Sequence, residues 1–199
     1  MERPMAYSEF TLESALRELK LTLGEADLFV GQNPVVPPAW LAETLARGTR
    51  LALISEKARS EFIVVPILLA ARELSKDRFA IFSGQRLDID ASRGLAGECD
   101  FLLSIGPALP PLHDPIAAIV EAKKNDVESG LGQCVAQLVA ANEFNQQAGR
   151  ATRTLYGCVT TGEAWQFLKL NGQRVELAKK RYYLDDVPGI LGSWVAVVA

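Results

Sequence analysis

Ile116-Ala117-Ala118-Ile119-Val120-Glu121-Ala122-Lys123 is an apolar run that ends in an acid and a base. A short apolar run bounded by turn residues is the pattern of a buried strand. Beyond it, residues 131–147 carry Val135, Leu138, Val139, Ala141 and Phe144 at helical spacing, and residues 154–160 and 165–170 again read as strands. Strand, helix, strand in that order is a crossover, which makes the flanking strands parallel neighbours in one sheet. Upstream, residues 79–83, 86–90 and 99–104 read as strands separated by Gly84, Gly94 and Gly97, and their proximity predicts an antiparallel meander. Residues 174–177 and 181–184 read as a final hairpin or edge. The predicted fold class is α/β, a mixed central β-sheet flanked by helices.

Residues 11–23 have helical spacing after a Thr11 cap, and Pro38 can open a short helix through Ala46. We expect residues 1–50 to form an N-terminal helical appendage to a core over 51–199, in one compact domain. Leu51, Ile54, Ala58, Phe62, Val65 and Leu69 recur at steps of three or four, which predicts a long helix that Pro66 bends or breaks. On a helical wheel Glu61 lies beside that apolar stripe and Glu56 nearly opposite it. A helix that starts at a Ser55 cap removes Leu51 and Ile54 from the wheel and leaves both acids open.

The formal net charge of -3 argues against a protein that coats nucleic acid by bulk charge. Local basic groups are Lys123-Lys124, Lys179-Lys180-Arg181, and Arg150 with Arg153, each of which, Lys123 apart, also reads as an ordinary solvated face. Three widely spaced cysteines suit reduced thiols in a cytoplasmic protein, and the chain start lacks the pattern of a secretory signal. A single histidine, His113, excludes multi-histidine metal sites and reads as a loop residue. The apolar stretch 187–199 falls short of the roughly 20 residues that cross a bilayer and is broken by Pro188, Gly189 and Gly192. It reads as a docking segment, or as an apolar face for a homodimer.

Glu121 and Lys123 are two apart on a strand, so their side chains leave one face. Asp100 adds a second carboxylate, and two carboxylates are hard oxygen ligands of the kind Mg²⁺ or Mn²⁺ prefers. Lys123 beside them can orient a water or offset developing phosphate charge. An ion pair between Asp100 and Lys123 is the blander alternative. Gln133 and Gln137 share one helical face, which either reaches that strand end or is a polar surface. Trp165 and Phe167 alternate on one strand face, the pattern of core packing more than of base stacking. No phosphate-cradling glycine motif is present, so no nucleotide-driven motor is encoded.

Cys99-Asp100, followed by Glu121-Ala122-Lys123, resembles the PD-(D/E)XK nuclease superfamily, with cysteine where the family usually has proline. Within it, the chain is similar to small bacterial proteins related to the N-terminal nuclease region of type I restriction subunits. The likeness extends to Ser55-Glu56-Lys57-Ala58-Arg59, Pro66-Ile67-Leu68-Leu69, the glutamine helix and the segment from Gly157 to Phe167. It implies a restriction-endonuclease-like core and a Mg²⁺-dependent nuclease acting on DNA. Asp100 and Glu121 would be the metal ligands, Lys123 would act on the nucleophile, and the Ala122 carbonyl would be a further ligand. The resemblance places the third acid at Glu56, against Glu61 from the wheel. A non-catalytic member of the same fold, binding nucleic acid or a protein, is the alternative.

Overall fold

The computed structural model describes residues 6–107, 109, 112, 114–150 and 154–199. His113 and Arg153 lie outside them. Eight strands form one mixed, open sheet: β1 (Thr22–Ala26), β2 (Phe79–Arg86), β3 (Glu98–Ile105), β4 (Ile116–Ala122), β5 (Leu155–Thr160), β6 (Ala164–Asn171), β7 (Arg174–Ala178) and β8 (Tyr182–Tyr183). The order across the sheet is β1-β7-β6-β5-β4-β3-β2, with β8 also on β6. β2, β3 and β4 form the expected antiparallel meander. β4 and β5 are parallel, joined through helix α5 (Glu128–Gln147). The crossover therefore sets β4 near the middle of the sheet.

Period-two alternation splits the apolar residues of these strands between two cores. Leu102 and Ile119 pack on one face with Val135 and Leu138 of α5, while Phe101, Leu103, Ala118 and Val120 pack on the other with Ile67, Leu68 and Trp194. Trp165 and Phe167 are fully buried in the second core, as alternating strand aromatics predict. Asn145 of α5 is buried. Its amide accepts from the Ile116 N–H at 2.9 Å and donates to the Ile116 carbonyl at 2.8 Å, which pins the start of β4 to α5.

Several expectations give way. Helix α1 (Leu12–Glu18) has the Thr11 cap, but Lys20 takes φ 56 and the chain turns into β1, which pairs with β7. The appendage expected over residues 1–50 thus contains a sheet edge, and Tyr7, Phe10 and Ala15 belong to the first core. Leu19 and Leu23 fit a helical period by coincidence of spacing. The second expected helix is longer than predicted, α2 (Ala39–Ala52). Residues 86–90 are not a strand: β2 ends at Arg86 and only an isolated Asp90–Leu95 bridge follows.

The long helix expected from Leu51 to Leu69 is three pieces. After α2, Ser55 caps α3 (Glu56–Arg59) by accepting from the Ala58 N–H at 3.0 Å, a π-turn covers Ser60–Val64, and α4 (Val65–Leu74) follows. Pro66 has no N–H to give the Phe62 carbonyl, and the wider π-turn just before it absorbs that defect. Helix α6 (Val187–Val197) buries Ile190, Leu191 and Trp194 in the second core. The segment expected to dock thus packs into the chain's own core along one side of α6. Among the described residues no helix is long and apolar enough to cross a membrane.

Candidate active site

Phe101 pairs with Val120 across β3 and β4, so one step further Asp100 stands opposite Glu121. Asp100 also accepts the Ala122 N–H at 2.7 Å, which holds its carboxylate at the end of β4. The charge of Asp100 acts directly on Glu121. Lys123 follows β4; its backbone N–H donates to the Thr160 carbonyl at 2.8 Å, and its side chain turns back along the strand. The Lys123 ammonium donates to Glu121 Oε1 at 2.6 Å and to Gln133 Oε1 at 3.1 Å. Gln137, fully buried, donates to Glu121 Oε2 at 3.0 Å. Both glutamines of α5 thus reach the strand end.

Gly130 is what lets α5 come this close. A Cβ there would lie 2.6 Å from Val159 and 3.0 Å from the Lys123 side chain. On the other side, Gly84 adopts φ 63 in β2, where the ladder joins Ser83 to Phe101 and Gln85 to Cys99 but leaves Asp100 unpaired. A left-handed glycine breaks the strand at the level of the acid. The result is a cleft of about 400 Å³ lined by Ser83, Gly84, Glu98 and Asp100 on one wall and by Glu56 and Glu61 on the other.

Burial sets the electrostatics. Glu121 is 1% exposed, and desolvation, reinforced by the charge of Asp100, pushes its pKa up to about 7 against the opposing pull of Lys123. Asp100 is raised chiefly by burial, with its hydrogen bond from Ala122 acting the other way. For Lys123 burial favours the neutral amine, but the charge and hydrogen bond of Glu121 outweigh it and hold the ammonium cationic. Glu56 acts on both Asp100 and Lys123 through its charge. Glu61 instead lies 3.9 Å from Lys57, so of the two acids Glu56 is coupled to the site.

Two residues were not singled out from sequence. Glu98 lines the cleft; it lies two residues before Asp100 on β3, a spacing that could have flagged it. Arg59 donates to the Thr161 carbonyl at 2.8 Å and braces the β5–β6 turn, a contact across 102 positions with no local signal. Gln137 Oε1 is buried without a partner. Away from the site, Lys180 pairs with Asp186 and Arg181 with Glu128, so the basic run 179–181 is largely committed to ion pairs.

Among the described residues no group of three or more His, Cys, Asp or Glu is arranged to hold a metal ion. Mg²⁺ is commonly held by only one or two carboxylates, with water and substrate oxygens completing its shell. Asp100 on the cleft wall and Glu121 buried behind it fit that pattern in donor type, because a cation between them would relieve their mutual repulsion. No protein-family model and no curated protein matches this chain.

Proposed function

We propose that the chain is a metal-dependent nuclease with a restriction-endonuclease-like core, which hydrolyses phosphodiester bonds of nucleic acid, DNA foremost, in the cytoplasm. The observation that carries this reading is the meeting of Asp100, Glu121 and the Lys123 ammonium at one strand end beside an open cleft. Mg²⁺ or Mn²⁺ bound by the two carboxylates would supply Lewis-acid polarisation and a water of lowered pKa. Lys123, kept cationic by Glu121, orients that water or offsets charge on a phosphoryl oxygen; general-base action would need the neutral amine that its surroundings disfavour. Gln133 sets the direction of the ammonium and Gln137 that of the Glu121 carboxylate. Glu56 serves as the third acid, across the cleft from Asp100.

The test is cleavage of single-stranded, double-stranded and branched DNA with Mg²⁺ or Mn²⁺. Asp100→Asn, Glu121→Gln and Lys123→Ala are each expected to lose about a hundredfold or more while remaining folded. Cutting that persists undiminished in all three variants would overturn the assignment. One observation favours a second reading, a non-catalytic nucleic-acid-binding or protein-binding member of the same fold: both oxygens of Glu121 already accept from Lys123 and Gln137. Nucleic-acid binding that needs no metal, with no cleavage of any substrate, would support it.

A further inference from the structure

Arg59 stands on α3 one turn after Glu56, half-buried, and its Nη1 donates to the Thr161 carbonyl at 2.8 Å. The other polar side chains of this wall bond within it: Lys57 lies against Glu61, the Ser55 hydroxyl accepts from Ala58, and Ser60 donates to the Glu56 carbonyl. Among the described residues the Arg59 bond is therefore the one polar tie from residues 55–64 to the sheet and its turns. Ile63 is its apolar counterpart. A Cβ on Gly162 would meet the Ile63 side chain at 3.1 Å, so the π-turn rests on the same β5–β6 turn.

The landing point of the tie leads to the site. Thr161 follows Thr160, whose carbonyl accepts the Lys123 backbone N–H at 2.8 Å. The turn is closed on itself, with both threonine hydroxyls bonded to Gly162 or Ala164. A displacement at Thr161 is thus passed to Thr160 and on to Lys123. At its other end Arg59 belongs to the helix of Glu56, and Glu56 and Lys123 both act on Asp100 through their charge. Charge pairing does not account for the guanidinium: no carboxylate forms an ion pair with it among the described residues, and its Nε is buried with no partner. A buried donor left unpaired costs stability, so stability alone does not account for it either.

We propose that Arg59 is a positioning residue, which fixes Glu56 and Lys123 relative to Asp100 by tying α3 to the β5–β6 turn. The proposal rests on the phosphodiester reading of the cleft, in which Lys123 orients the nucleophile and Glu56 is the third acid.

Two readouts separate the proposal from that reading. The first is hydrogen exchange of backbone amides in the full chain, without metal or nucleic acid. In Arg59→Met the Lys123 amide should exchange about tenfold faster, while those of Ile119 and Val120 inside β4 keep their protection. Arg59→Lys retains one charged donor on a long stem and should restore part of the Lys123 protection. Unchanged exchange at Lys123 would overturn the tie, and so would an equal loss along all of β4, which a general loss of stability produces without positioning. The second readout is Mg²⁺-dependent cleavage. In Arg59→Met kcat should fall about tenfold to a hundredfold at unchanged KM, and Arg59→Lys should recover part of it. A raised KM at unchanged kcat would make Arg59 a phosphate contact and overturn its positioning role, as would unchanged kinetics. Selective exposure of the Lys123 amide in a protein that cuts nothing would uphold the tie and remove the hydrolytic reading.

Discussion

Glu121 is where burial and chemistry conflict most sharply. A carboxyl with a pKa near 4.5 in the unfolded chain and about 7 in the folded one binds its proton more tightly when folded. Its contribution to stability is therefore fully present below pH 4.5 and is lost as pH rises through 7, a fall of about 3 kcal/mol. Asp100, also raised, acts in the same direction. In chelator, the melting temperature should drop between pH 4.5 and 8, and Glu121→Gln should flatten that limb. Mg²⁺ added at pH 8 should restore stability to the wild type and not to Glu121→Gln. A wild type whose stability stays flat over that range would show that Glu121 ionises in the folded chain as freely as in the unfolded one. Gln137 fits this account, because its donation to Glu121 favours the ionised form at the expense of its own unpartnered Oε1.

At the scale of elements, the π-turn at Ser60–Val64 connects the cleft wall to the core. Pro66 leaves the Phe62 carbonyl without its helical partner, and α2 crosses against that carbonyl at Gly48. A Cβ on Gly48 would lie 2.7 Å from Phe62 O and 3.1 Å from Phe62 Cβ, so the helix and the turn cannot both stay in place. Mid-helix Gly→Ala ordinarily gains up to about 1 kcal/mol. Here Gly48→Ala should instead lose about 1–3 kcal/mol in urea unfolding. The displaced turn should carry Glu56 away from Asp100, and activity should fall with it. A gain in stability would show that α2 and the turn are not in close contact.

For the whole molecule, both faces of the sheet are closed by the chain itself, and the last helix is part of that closure. Trp194 is fully buried with its ring 5.1 Å from that of Phe167 in an edge-on contact. Trp194→Ala should cost about 3–5 kcal/mol in denaturant unfolding. A loss under about 1 kcal/mol would mean that α6 does not dock as described. Because β3 and β4 lie between the two cores, such a loss should also lower activity at working temperature by depleting the folded population rather than by altering the site.

Sequence alone determined the central strands and their crossover, because period-two and period-3.6 patterns are local and α5 between two apolar runs admits few arrangements. It also determined that Glu121 and Lys123 share a face, since strand geometry alone requires it. Local periodicity misread Leu23, which continues a helical spacing but sits on an edge strand whose partner is about 150 residues away. It likewise ran one helix from Leu51 to Leu69 across the end of α2, the Ser55 cap of α3 and the π-turn before α4. Asp100 opposite Glu121, Glu56 coupled to both Asp100 and Lys123, Gln137 on the buried carboxylate and Arg59 under the Thr161 turn were decided only by the tertiary structure. Each joins residues distant in sequence, and the burial of Glu121 and Gln137 that strengthens the site is acquired only on folding.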